Sequence, residues 1–293
     1  MSEKSKIIQF YDSIASSYAS QYSAENLHNT STRYPANYFR LQLLLRSFRD
    51  GNIQTLIEVG CGEGTPLLNL AQMGFDVTGF DISPKMVEMA KANFVANNLD
   101  PEKIFCGDVE FPSSLAKCAK KIGYDGLLAM GVMPHLDKDQ WGLKNMASLV
   151  KPGGRTFIEF RNKLFSLFTF NEYTFEFIMD DLLSGVGEEL KAIVAERLKP
   201  AMVGSKSVAN DDGYHQVKAR FHTPMEAVSL MEAAGLKTIK THWYHHHAAP
   251  PFIEKFNPQE FRDQSLNMEL KEDWRSMFMC SAFVIEAIRY EDE

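Results

Sequence analysis

The chain has 293 residues, 45% of them hydrophobic, enough to bury a large core in one α/β domain with an inserted subdomain rather than in two independent domains. Lysine and arginine number 31 against 38 acidic residues, a formal charge of −7 with no basic run, so a nucleic-acid backbone or an anionic membrane surface is repelled. Cys61, Cys106, Cys118 and Cys280 form no Cys-x-x-Cys pair, which predicts reduced thiols and neither a disulfide framework nor a zinc site. No signal-like leader and no run of about 20 apolar residues occurs, so the expected location is cytoplasmic.

In chain order, apolar residues returning every three or four positions predict helices over 5–22 and about 34–48. Strands follow at 55–59, 76–80, 103–106, 124–130 and 154–160, with helices near 65–73, 84–97 and 138–149 between them. Such alternation predicts a parallel sheet with right-handed crossovers. From Arg161 to His222 runs an interruption rich in Leu164, Phe165, Leu167, Phe168, Phe170, Tyr173, Phe175 and Phe177. It is too long for a loop and should form helices of its own over the active-site face. Its aromatics form the core of that cap, or one or two of them line a pocket. A helix at 223–235, a strand at 236–244 and the apolar run 277–288 complete the sheet.

Residues 56–65 read Leu-Ile-Glu-Val-Gly-Cys-Gly-Glu-Gly-Thr, and Asp81 ends the second apolar run. Glycines 60, 62 and 64 permit a sharp turn and a close approach of a ligand to bare backbone, and Asp81 is placed to accept hydrogen bonds from two ribose hydroxyls. A dinucleotide site uses Gly-x-Gly-x-x-Gly and sets a pyrophosphate at a helix N-terminus. Here the spacing is Gly-x-Gly-x-Gly, and Glu58 and Glu63 would repel a pyrophosphate. They suit a nucleoside carrying an ammonium and a sulfonium, which describes S-adenosylmethionine.

The chain resembles the class I S-adenosylmethionine-dependent methyltransferases, in their small-molecule branch. Tyr11-Asp12-Ser13-Ile14-Ala15 with Tyr18 resembles the N-terminal lid segment, Leu56 to Gly64 the first motif, and Gly79-Phe80-Asp81-Ile82-Ser83 with Met86 the second. Cys106-Gly107-Asp108-Val109 resembles the adenine-contacting segment, and Leu149 to Gly154 the turn before the fifth strand. Together they cover about 10–160, with a weaker likeness over 221–290. The resemblance implies a Rossmann-like fold, a mostly parallel seven-stranded sheet with its last strand antiparallel, plus a helical cap insertion. It divides the chain into an N-terminal helical lid (1–50), a cofactor-binding core (51–162), the cap (163–222) and the C-terminal part of the core sheet (223–293). Implied cofactor contacts are Tyr11, Tyr18, Glu58, Gly60, Cys61, Gly62, Asp81, Ile82, Met86, Gly107, Asp108, Val109 and Met130.

Ligands of open parallel sheets bind outside the carboxyl ends of the strands. The segments leaving those ends are Met133-Pro134-His135, Arg161-Asn162 and Tyr244-His245-His246-His247, and all three are expected beside the reacting methyl group. Methyl transfer needs a nucleophile held about 3 Å from the methyl carbon and, for a hydroxyl, a base. His135, His245, His246 and His247 are the base candidates, with a positioning role equally open for His135. Neighbouring histidines on an extended segment alternate faces, so at most His245 and His247 could share a metal, and none is expected. Arg161 either pairs with a carboxylate such as Glu159 or faces an anionic acceptor group. Arg33 and Tyr34 could contribute at the lid.

After the fourth strand stands Met130-Gly131-Val132-Met133, not the Asn/Asp-Pro-Pro-Tyr segment of the family's amino methyltransferases. The expected reaction is O-methylation of a small polar metabolite or sugar by a monomer or homodimer. Alternatives are N-methylation of a small amine or amino acid, a non-catalytic S-adenosylmethionine-binding protein, and, disfavoured by the glycine spacing, an NAD-dependent oxidoreductase.

Overall fold

Leu56, Ile57 and Val59 are at most 1% exposed in β1 (Thr55–Val59), a run apolar on both faces as befits the middle of a covered parallel sheet. The computed structural model describes residues 3–18, 34–118, 123–202, 219–271 and 273–291. Arg33, the side chain of Tyr18 and cap residues 203–218 lie outside the described residues. The chain divides into two compact units, one of residues 1–161, 215–242 and 283–293, the other of 162–214 and 243–282.

In the first unit, helices α1 (Glu3–Tyr18) and α2 (Ala36–Asp50) precede β1. There follow α3 (Thr65–Gln72), β2 (Asp76–Asp81), α4 (Pro84–Ala96), β3 (Ile104–Cys106), β4 (Tyr124–Ala129), α5 (Asp139–Leu149) and β5 (Val150–Arg161). After the second unit's first segment come α6 (Pro224–Ala233), β6 (Leu236–His246) and β7 (Cys280–Arg289). The seven strands lie in the order β3-β2-β1-β4-β5-β7-β6, six parallel and the last antiparallel.

Register decides where the site lies. Val59 pairs with Phe80 and with Ala129, Asp81 with Cys106, and Ala129 with Ile158. The carboxyl ends of β1 to β5 therefore line up, and the segments leaving them share one edge. Beneath that edge Phe48 meets Phe157 edge-to-face at 5.1 Å, and Phe160 stacks on Phe283 at 5.7 Å. Each such buried side chain contributes about 1.5–3 kcal/mol. β5 starts earlier than its apolar run, because Lys151 to Gly154 form an irregularity inside the strand, with Gly153 at φ 73.

Helix starts follow local chemistry. Ser83 caps α4 through its Oγ, 3.1 Å from the Met86 N–H, with Pro84 in the first turn. Thr223 and Glu226 form a reciprocal capping box on α6.

In the second unit the interruption folds into short helices at Ser166–Thr169, Glu172–Glu176 and Glu188–Met202. Its contacts group it with 243–282, which the sequence reading had counted with the core sheet. Asn162 explains part of the grouping. Fully buried, it donates to the Met277 and Cys280 carbonyls at 2.8 Å each and accepts from the Leu164 N–H. No described helix is long and apolar enough to cross a membrane.

Candidate active site

The turn after β1 is left-handed at each alternate residue, with φ of 70, 55 and 84 at Gly60, Gly62 and Gly64. That conformation favours glycine, and two of the three have a steric reason besides. A Cβ at Gly60 would stand 2.6 Å from Val132 Cγ2, and one at Gly64 would press on Ala90 of α4 at 3.0 Å. The turn is tied to β2 through the Phe80 carbonyl, which accepts from the Gly60 and Cys61 N–H groups. Asp81, 9% exposed, takes the Gly62 N–H on one oxygen and the Ser83 N–H on the other, both at 2.9 Å. A carboxylate has about four accepting positions, so Asp81 keeps capacity for the two ribose hydroxyls expected of it.

Two more carboxyls are buried at this turn, Glu58 at 3% exposure and Glu63 at 1%. Glu63 Oε2 accepts from Thr65 Oγ1 and Asn93 Nδ2, but its Oε1 and the Oε2 of Glu58 have no hydrogen-bond partner among the described residues. Burial pushes the Glu58 carboxyl up to about 8, against the pull of Arg40. It also raises Asp81, opposed by the Ser83 and Gly62 N–H groups. Buried acids with open oxygens fit the ammonium and sulfonium of S-adenosylmethionine and would repel a pyrophosphate.

One face of α1 reaches three strand ends. Lys4 lies 2.5 Å from Asp108 and 2.8 Å from Glu110 beyond β3, Asp12 accepts from Ser83 Oγ beyond β2, and Tyr11 Oη is 2.9 Å from His135 Nε2 beyond β4. Positions 4, 11 and 12 repeat on one helical face. Asp108 thus carries an ion pair besides its place in the adenine-side segment, where a Cβ at Gly107 would stand 3.2 Å from Phe80. Ile82 lies between Asp81 and the capping Ser83, and Met130 directly follows β4. Cys61, Met86 and Val109, at 4%, 1% and 4% exposure, pack their side chains into the core.

Beyond β4 and β5, the Arg220 N–H donates to the Pro134 carbonyl and the His222 N–H to that of Arg161, both at 2.9 Å. Asp139 then gathers His222 Nε2 at 3.0 Å and Arg220 at 2.8 Å. Glu159, weighed as a partner of Arg161, is paired with Arg40 of α2 at 3.0 Å.

A methyltransferase-domain family model matches residues 56–154. Residues 56–154 thus carry a methyltransferase domain, and the sheet around them has the Rossmann-like fold of the class I S-adenosylmethionine-dependent methyltransferases. It is 29% identical over 169 residues to a ubiquinone biosynthesis O-methyltransferase of Coxiella burnetii, covering 57% of this chain and 70% of that protein. The Caulobacter vibrioides protein of the same name is 27% identical, covering 57% and 67%. Among solved structures, magnesium protoporphyrin IX methyltransferase from Synechocystis with bound S-adenosylhomocysteine superposes with a TM-score of 0.56 at 15% identity, covering 98% of this chain and all of that one. An S-adenosylmethionine-dependent methyltransferase from Clostridium acetobutylicum gives 0.51 at 9% identity, covering 87% and 92%. The Synechocystis enzyme has also been solved with bound S-adenosylmethionine.

The three consecutive histidines of the methyltransferase lie in its second unit. His246, 3% exposed, sits 3.1 Å from Glu269 through Nδ1 and 3.0 Å from Ser276 Oγ through Nε2. His247 has the tilted rings of Phe165 at 4.7 Å and His245 at 4.8 Å beside it, with no partner on either ring nitrogen among the described residues. Burial drives its pKa well below the usual histidine value, so the ring stays neutral. His245 adopts φ 60 in the left-handed region. Among the described residues no group of three or more His, Cys, Asp or Glu has a metal-binding arrangement.

The sequence did not point to Lys4, to the Asp12–Ser83 bond, or to the Asp139–His222–Arg220 cluster. Asp12 stood inside a quoted motif, which was the one available signal. Its partner lies 71 residues away, and that of Lys4 lies 104 away.

Proposed function

We propose that the enzyme O-methylates a small polar metabolite or sugar, with His135 as general base. The observation that carries this reading is the 2.9 Å contact of Tyr11 Oη with His135 Nε2 at the end of β4. It orients an imidazole on the edge that also carries the glycine turn and Asp81. Bound S-adenosylmethionine supplies the electrophilic methyl group. Glu58, Glu63 and Asp81 hold its charged and ribose ends, α1 limits water access, and the acceptor's proton passes to the Tyr11 hydroxyl as that hydroxyl gives its own proton to His135 Nε2. The names of the Coxiella and Caulobacter relatives support oxygen as the methylated atom. The acidic surface charge supports a soluble acceptor in the cytoplasm, met by a monomer or homodimer.

Carbon-13 methyl-labelled cofactor and a fractionated metabolite pool test the reading. A methoxy resonance in the product is expected, and a methylamino resonance overturns O-methylation. With the acceptor in hand, His135→Ala should lower kcat about 10²-fold or more and remove the acidic limb of the pH profile, leaving cofactor affinity intact. Near-normal turnover would exclude His135 as base.

A further inference from the structure

Buried carboxyls almost always come with partners, and the set at the glycine turn is only partly supplied with them. The groups facing Glu58 are Arg40 from α2, Glu63 and the Cys61 thiol from the turn, and Asp81 from β2. Arg40 is the cation of the set, and it already stands 3.0 Å from Glu159 of β5. One guanidinium therefore faces two glutamates, while Glu63 and Asp81 lie close by. Asp81 is compensated by two backbone N–H groups, whereas Glu58 and Glu63 each keep one buried oxygen without a hydrogen-bond partner among the described residues.

We propose that the free enzyme stores a proton on Glu58 and gives it up when the ammonium-bearing end of the cofactor enters, so that cofactor binding and deprotonation of Glu58 are one coupled step. The inference rests on the cofactor reading above. In balance, the Glu58 carboxylic acid loses its proton to buffer, and the resulting carboxylate faces the incoming cation. No other bond is made or broken. Burial that pushes the carboxyl up to about 8 in the free protein supports this, because the group is then mostly protonated at neutral pH. A cation arriving beside it favours the charged form. Asp81 is the less suited reservoir, since its two N–H donors favour its charged form. The consequence is a cofactor affinity that rises about tenfold per pH unit through the acidic range and levels off as Glu58 ionises.

Calorimetric titration of the whole protein with S-adenosylhomocysteine tests the coupling, at about pH 6.5, where an α-amino group of ordinary pKa near 8 stays protonated. It is run in two buffers of low and high ionisation enthalpy. Close to one proton released per site is expected, with Glu58→Gln binding without release and with an affinity flat in pH. Glu63→Gln should keep the release. Equal heats in both buffers for the unaltered protein, or release that persists in Glu58→Gln, would overturn the proposal. Should Glu58→Gln fail to fold, infrared difference spectra of the unaltered protein decide, since the carbonyl band of a protonated carboxyl must disappear on binding. A band that stays overturns the coupling. Absence of any binding heat or thermal shift would instead overturn the cofactor reading.

Discussion

Burial pushes two sets of carboxyls in the sheet unit the same way, and their partners leave them with opposite net shifts. Glu286 of β7 is 3% exposed, yet its pKa lies below the ordinary value, because His242 of β6 at 2.8 Å, Ser47 of α2 at 2.9 Å and Arg155 of β5 all donate to it and outweigh its burial. Glu58 of β1 is equally buried, and its pKa is raised. The first cluster is complete in the protein and joins β5, β6, β7 and α2. The second keeps open oxygens at the glycine turn, where we propose that the cofactor binds. Buried charge that holds a fold arrives with its partners, whereas buried charge that serves a ligand leaves oxygens open for it.

The largest effect should come from breaking the complete cluster. Glu286→Ala strands His242, Ser47 and Arg155, and removal of one partner from a buried ionic set costs about 3–5 kcal/mol. Urea unfolding should report a loss of that size with cofactor affinity little changed. A loss below 1 kcal/mol would erase the contrast between the clusters.

At the incomplete cluster the effect moves from stability to binding. Asp81→Ala should weaken S-adenosylmethionine binding by about 1.5–3 kcal/mol, the scale of hydrogen bonds to a charged group. Part of that loss comes from the Gly62 and Ser83 N–H groups that Asp81 now holds. Calorimetry on a variant with a native circular-dichroism spectrum measures it, and unchanged affinity would remove the ribose from Asp81.

The two clusters also predict opposite limbs of a stability–pH curve. Glu286 has a depressed folded pKa, so its contribution is present above the unfolded glutamate value and is lost as pH falls through the folded one. Glu58 has a raised folded pKa, so its contribution is fully present below the unfolded value and is lost as pH rises toward about 8. The free enzyme should therefore melt lower at pH 8 than at pH 6, by a few degrees on a scale of about 2–4 °C per kcal/mol. Glu58→Gln should flatten the alkaline limb alone. A limb unchanged in that variant would show that another group titrates there.

Sequence legibility followed the distance over which each feature is decided. The glycine turn, Asp81 and the strand alternation are set by neighbours within a few residues, and all were readable. His135 was readable as a strand-end candidate, but its Tyr11 partner, 124 residues away, was not. The histidine run shows the limit best. Its sequence suggests base candidates, while the structure pairs His246 with Glu269 and Ser276 and sets His247 against Phe165 and His245. Those partners come from segments that no local pattern links to it. The grouping of 162–214 with 243–282 escaped for the same reason, since Asn162 reaches residues 115 and 118 positions away.

The smallest effect expected on stability lies in α1, where the same comparison can be sharpened by kinetics. Lys4 is about one-fifth exposed and pairs with Asp108 and Glu110. Exposed and part-exposed ion pairs contribute at most about 1 kcal/mol, so Lys4→Ala should scarcely alter unfolding in urea. The pair nonetheless holds the first turn of α1 to the segment after β3, while Asp12 and Tyr11 hold later turns beyond β2 and β4. Losing one of three attachments should let that helix end open more often. Stopped-flow displacement should then show S-adenosylhomocysteine leaving several-fold faster, and amide exchange over residues 3–10 should quicken, with exchange in β1 and β2 unchanged. Unaltered dissociation together with quickened exchange would mean that the cofactor leaves by a route α1 does not cover. The helix would then serve His135 through Tyr11 and have no part in retaining the nucleoside.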